Sequence, residues 1–312
     1  MTYQQDLYPP RYSIPPSAPP QQYFIPDKTV MFSEFSRKFG IPNNFQSKLQ
    51  HIIQNCKIDI LVDDSTSMTN GAYDREFMDE YNEQTFPKGH FDSVSGRTIP
   101  YVNTTSTRMN ELKQMIRCVV GASSILSNQS INLYFMNRQI NNDIVLKDEW
   151  TLNHIDYMFS DPRGCTPTLE TLKRIIANEQ ITLREKNLLI FIATDGQPTN
   201  ARGDPGEEVA KLEKYIEKIM IDYPNLYITF LACSSDEKLL KIMDKWGKKF
   251  KRVGVVDQYG VEYKEMMMAN SNKPDWLFTI GDYITKAMLV SLDPEIKKLF
   301  ADDSSKGCCT IL

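Results

Sequence analysis

Asp63, Ser65 and Ser67 stand together directly after an apolar run, in Ile58-Asp59-Ile60-Leu61-Val62-Asp63-Asp64-Ser65-Thr66-Ser67. A further carboxylate, Asp195, closes a second such run in Leu188-Leu189-Ile190-Phe191-Ile192-Ala193-Thr194-Asp195-Gly196. Between them in the chain, Thr166 lies in Gly164-Cys165-Thr166-Pro167-Thr168, a turn ahead of a helical pattern. Carboxylates and hydroxyls alone make a hard, all-oxygen set. Such a set suits Mg²⁺, or Mn²⁺ or Ca²⁺ at the same position; Mg²⁺ in particular keeps several waters and is rarely wrapped completely by protein. An Asp-x-Ser-x-Ser stretch alone is usually a turn or a helix cap, so the chemistry depends on the three segments converging.

Convergence needs a scaffold, and the apolar periodicity supplies one. Strand patterns fall at 57–62, 131–136, 144–147, 188–194, 227–233 and 252–256, and helix patterns at 107–126, 168–178, 206–222, 236–247, 258–269 and 281–301. Continuous apolar strands alternating with amphipathic helices predict an α/β fold: a doubly wound, mostly parallel sheet with helices on both faces. The run at 144–147 follows 131–136 across a turn and reads as an antiparallel edge. In open sheets of this kind ligands bind outside the carboxyl ends of the strands, and Asp63, Ser65, Ser67 and Asp195 all follow such ends. Residues 31–55 read as two short helices broken at Gly40-Ile41-Pro42. The segment 69–106 is long, polar and aperiodic, and loops of that length are functional or disordered. Leaving directly after Ser67, it is placed to cap a metal, supply an internal carboxylate or form part of a partner surface. The expected organisation is an arm over 1–26, a helical lead-in over 27–56, the α/β domain over 57–256, a helical extension over 257–302 and a tail over 303–312.

Asp63-x-Ser65-x-Ser67, then Thr166, then Asp195 in Thr-Asp-Gly resembles the metal-ion-dependent adhesion site of von Willebrand factor A domains, across roughly residues 57–256. The resemblance implies that Ser65, Ser67 and Thr166 are direct ligands and that Asp63 and Asp195 act mostly through ordered waters. It also implies that a partner protein completes the metal's shell with an Asp or Glu carboxylate. Where the family usually has a glycine pair before the threonine, this chain has Gly164-Cys165. The stretch 274–292 looks more loosely like copine-like or fungal cytosolic members of the family.

An Asp at the end of a first strand is also the nucleophile of haloacid dehalogenase-type phosphatases, but there a second Asp follows two residues later, where this chain has Ser65. The three histidines, His51, His90 and His154, adjoin none of these motifs, and no activated nucleophile is apparent. A binding site, not a catalytic one, is expected; a Mg²⁺-dependent phosphate-ester hydrolase is the alternative. With 36 basic and 40 acidic side chains and a net charge of -4, the chain does not read as a nucleic-acid binder. No apolar run reaches membrane-spanning length, and the opening stretch 1–10, without a basic flank or an apolar segment, does not read as a signal peptide. Cys56, Cys118, Cys165 and Cys233 lie in or beside apolar segments, lack metal spacing and read as buried free thiols.

The two ends carry linear motifs. Cys309-Thr310-Ile311-Leu312 fits a prenylation box whose terminal Leu favours geranylgeranyl, and Cys308 is a candidate for palmitoylation as a second membrane signal. Pro9-Pro10-Arg11-Tyr12 is the ligand type of WW domains, docking as a preformed polyproline helix. Pro16-Ser17-Ala18-Pro19 resembles the late-domain motif taken by the ubiquitin-variant domain of the ESCRT machinery. Together these predict a cytoplasmic adaptor held peripherally on a membrane by its lipid, recruiting WW-domain ubiquitin ligases and ESCRT-type partners for trafficking or budding. A soluble module with an unmodified tail is the other alternative.

Overall fold

A computed structural model describes residues 27–71, 90–92, 97–99, 107–127, 130–138, 159, 162–234, 236–271, 273 and 276–300. Five strands form one all-parallel sheet: β1 (Cys56–Val62), β4 (Ile131–Phe135), β5 (Asn187–Thr194), β6 (Leu226–Ala232) and β7 (Val253–Val256), in the order β4-β1-β5-β6-β7. Their side chains are buried on both faces, which is why they read as unbroken apolar runs. Ile58, Ile60, Leu61 and Val62 of β1 are fully buried, each worth about 1.5–3 kcal/mol over exposure.

Alternation along the strands divides the core in two. Ile58, Ile60 and Val62, with Leu189 and Phe191, pack under the helices Lys28–Phe39, Asn43–Ile53, Arg108–Leu126, Tyr259–Ala269, Ile280–Leu289 and Pro294–Leu299. Leu61, Ile190, Ile192 and Phe230 pack on the other face, under Thr168–Asn178, Thr182–Glu185, Glu208–Asp222 and Glu237–Lys249. The fold is therefore α/β and doubly wound. The helices before residue 57 and after residue 256 share one face with Arg108–Leu126.

Three details depart from the periodicity. The pattern over 281–301 is two helices, because Asp293 caps a new one at Pro294 and proline cannot sit inside the first. Within 69–106, β2 (His90–Asp92) and β3 (Arg97–Ile99) form an antiparallel pair. The ends of that excursion meet: Gly71 bridges Thr107, and the carbonyl of Asn70 accepts from the Arg108 N–H at 2.9 Å. The expected edge strand at 144–147 lies outside the described residues. Among the described residues no helix is long and apolar enough to cross a membrane.

Candidate functional site

Numbered along the sheet alone, the strand order is 2-1-3-4-5, and its reversal falls between β1 and β5. At such a switch point the loops after the two strands diverge and open a crevice at their carboxyl ends. The register pairs Val62 with Ala193, and the Asp63 N–H extends the ladder to the Ala193 carbonyl at 2.9 Å. Asp63 and Thr194 thus leave the sheet side by side. Thr194 Oγ1 donates to Asp63 Oδ2 at 2.6 Å, and the Ser65 N–H donates to Asp63 Oδ1 at 2.9 Å. Both oxygens of this fully buried carboxylate are thus occupied, one by its own turn and the other by the end of β5.

The short 3-10 turn Thr66–Thr69 then carries Ser67 back over β5. Ser67 Oγ donates to Asp195 Oδ1 at 2.7 Å and lies 2.9 Å from Ser65 Oγ. A serine that gives its proton to a carboxylate keeps lone pairs for another electrophile. The 2.9 Å spacing of the two serine oxygens also matches adjacent corners of an octahedron with metal–oxygen distances of about 2.0–2.1 Å. Thr166 reaches the same place from the third loop: a Cβ built on Gly196 would lie 3.5 Å from Thr166 Oγ1 and 4.0 Å from Ser67 Oγ. Thr166 is anchored by reciprocal bonds with Thr199, its N–H donating to Thr199 Oγ1 and its carbonyl accepting from the Thr199 N–H, both at 2.9 Å. All five sequence-selected residues are therefore gathered at one crevice. Asp63, Ser65, Thr166 and Asp195 are buried, while Ser67 and Gly196 are half-buried.

The residues between the candidate ligands fasten the loops. Asp64 Oδ1 accepts from the Asn137 N–H at 2.8 Å, and its Oδ2 pairs with Arg138 Nε at 3.1 Å. Thr66 joins the third loop, its N–H donating to the Gly164 carbonyl at 3.1 Å and its Oγ1 accepting from the Gly164 N–H at 3.1 Å. Gly164 has φ +89, and a Cβ there would sit 2.4 Å from Asn137 Oδ1, so this glycine is required by conformation and by space. The neighbouring Cys165, unlike the buried thiol expected there, is half-buried because it sits in this surface loop, with its sulfur 3.9 Å from the Ala201 carbonyl oxygen.

Sequence reasoning missed Arg108. Its Nη1 donates to Asp195 Oδ2 at 2.8 Å, with both side chains largely buried. No spacing ties position 108 to position 195, and only the helix start after the 69–106 excursion marks it. Burial, then the Asp195 charge, pushes the Asp63 carboxyl up to about 6 against the bonds from Ser65 and Thr194. Burial, reinforced by Glu111, Asp195 and Asp63, holds the Cys233 thiol well above its usual range. Cys56, Cys118, Cys165 and Cys233 are free. Among the described residues no group of three or more His, Cys, Asp or Glu side chains is placed to share a metal; the crevice instead combines two carboxylates with three hydroxyls. Pro9, Pro10, Tyr12, Pro16, Ser17, Ala18, Pro19, Cys308 and Cys309 lie outside the described residues.

A scan against protein-family models returned no match. A comparison with curated proteins likewise returned no match.

Proposed function

We propose that the chain is a non-enzymatic adaptor whose crevice holds Mg²⁺ in the manner of von Willebrand factor A domains and presents it to a partner's Asp or Glu. The observation that carries this reading is the meeting of Ser65 Oγ, Ser67 Oγ and the Asp195 carboxylate at the switch point, with Ser67 donating its proton to Asp195. Ser65, Ser67 and Thr166 would hold the ion, and Asp63 and Asp195 would supply the negative charge behind them. Bound there, the ion supplies a positive centre that a partner carboxylate can complete. Both Asp63 oxygens already accept hydrogen bonds, which favours a supporting role for this carboxylate over that of a hydrolase nucleophile. In the same reading Cys309, with Cys308 beside it, carries the lipid that holds the protein on a cytoplasmic membrane face. Pro9-Pro10-Arg11-Tyr12 and Pro16-Ser17-Ala18-Pro19 recruit WW-domain and ESCRT-type proteins for ubiquitin-linked trafficking.

The test is a Mg²⁺ titration followed by thermal denaturation. An ion at about 100 times its Kd adds about 2.7 kcal/mol to stability, and the combined Ser65→Ala, Thr166→Ala variant is expected to lose that gain. Mg²⁺ stabilisation that persists in the variant removes this ligand set.

A further inference from the structure

Asp195 spends both of its oxygens on protein donors: Oδ1 on the Ser67 hydroxyl and Oδ2 on the Arg108 guanidinium. Arg108 is the first residue of the helix Arg108–Leu126, and its own backbone N–H is tied to the Asn70 carbonyl at 2.9 Å. Thr107 caps that helix, its Oγ1 accepting from the Asn110 N–H at 3.3 Å. The cation is thus delivered by a fixed helix start, not by a mobile surface side chain. Its burial matters, because charges withdrawn from solvent are screened far less than exposed ones.

Asp63 and Asp195, when ionised, bring two negative charges to the crevice, and Arg108 returns one positive. Buried Glu111, one turn further along the same helix, adds a third carboxylate to this neighbourhood. A divalent ion held by neutral hydroxyls then leaves these charges balanced, and without Arg108 the loaded cluster would carry a net negative charge of about one. We propose that Arg108 is a specificity-determining residue: it keeps the metal-loaded crevice from carrying a net negative charge, so that the crevice takes a carboxylate as its outer ligand, and it does so by weakening the hold on the bare cation. This rests on the metal reading given above, and it assigns to this chain's own guanidinium a role in choosing what binds next.

A guanidinium that merely braced the helix would move cation and anion affinities together, or neither. The proposal moves them in opposite directions. Mn²⁺ affinity is measured by water-proton relaxation, and acetate is then titrated against the Mn²⁺-loaded protein at constant ionic strength. Arg108→Gln is expected to bind Mn²⁺ about tenfold tighter and acetate about tenfold weaker, a modest effect for a unit charge at an effective dielectric constant of about 20. Arg108→Lys keeps the charge and is expected to stay near wild type in both. Equal or weaker Mn²⁺ binding by a folded Arg108→Gln overturns the proposal. Should that variant fail to fold, the wild-type Arg108 side-chain Nε–H signal, assigned by its loss in Arg108→Lys, is expected to shift on adding Mg²⁺; a signal that stays in place overturns the proposal equally. Wild-type protein that binds no Mn²⁺ removes the metal reading itself, whereas wild-type binding that is indifferent to Arg108 removes only the role assigned to Arg108.

Discussion

Asp257 follows β7 directly and is buried beside two other ionisable side chains. Its N–H donates to Glu262 Oε1 at 2.9 Å, Glu262 is in turn paired with Lys286, and its own Oδ1 has no hydrogen-bond partner among the described residues. Burial first, then the Glu262 charge, pushes the Asp257 carboxyl up to about 8, with Asp244 and Glu265 adding to the rise and Lys286 opposing it. The folded chain therefore keeps a proton that the unfolded chain releases near the ordinary value of 3.8. The contribution of this group is fully present below about pH 4, falls as the pH rises toward about 8, and is lost above that. Asp257→Asn mimics the protonated form. Its stability in urea is expected to equal wild type near about pH 4 and to exceed it by on the order of a few kcal/mol above about pH 8. A difference that does not change with pH would show that Asp257 does not titrate in this window. The same scale explains the spacers of the candidate site. Asp64 and Thr66 alternate with the candidate ligands in sequence, and they tie the first loop to the loops at Asn137 and Gly164. Alternation alone could not reveal those partners, since each bond closes across the sheet's edge.

Among the elements, the helix Ile280–Leu289 is the one whose place was hardest to read. All of its residues but the half-buried Asp282 are buried, the polar Thr285 and Lys286 included, the pattern of a helix enclosed by its neighbours and not of one resting on a surface. At its start a Cβ on Gly281 would lie 2.3 Å from the Gly40 carbonyl oxygen and 2.6 Å from the Ile41 nitrogen. Those are backbone atoms, which cannot swing away. Gly281→Ala is expected to cost about 1–3 kcal/mol through overpacking, more than the gain of roughly 1 kcal/mol in helix propensity; a urea midpoint at or above wild type would contradict this close approach. The neighbouring strands were easier. Runs buried on both faces carry their own signal, as at 188–194 within β5, and with them came the carboxyl ends where Asp63, Ser65, Ser67 and Asp195 gather. Hidden inside β1, however, are Lys57 and Asp59, paired at 3.2 Å within the core. Polar residues within an apolar run look like strand edges until a partner is seen. Arg108 was illegible for the related reason that its contact spans 87 positions, and only the folded sheet brings Asp195 to it.

At the scale of the molecule, the root of the N-terminal arm and the candidate site stand at opposite ends of the sheet. Lys28 Nζ donates to the Ser127 carbonyl at 3.0 Å, and Ser127 Oγ donates to the carbonyl of Cys56, the first residue of β1, at 3.0 Å. The chain therefore joins the fold at the amino ends of the strands, whereas Asp63, Ser65 and Ser67 follow the carboxyl end of β1. A strand of this length separates the two by about 20 Å, well beyond a Debye length of about 8 Å at physiological ionic strength. In the proposed adaptor this separation lets one partner dock on the crevice while another holds Pro9, Pro10 and Tyr12. Coupling between two sites is reciprocal in free energy, so one measurement covers both directions. An isolated WW domain titrated into the full chain is expected to bind with the same Kd, within about twofold, in excess Mg²⁺ and in chelator, a coupling below about 0.4 kcal/mol. Removing residues 1–26 is expected to abolish WW binding and to leave both the melting temperature and the Mg²⁺ response unchanged. A WW-domain Kd that moves tenfold with Mg²⁺ would mean that the arm reaches back to the crevice, and the two sites would then have to be treated as one.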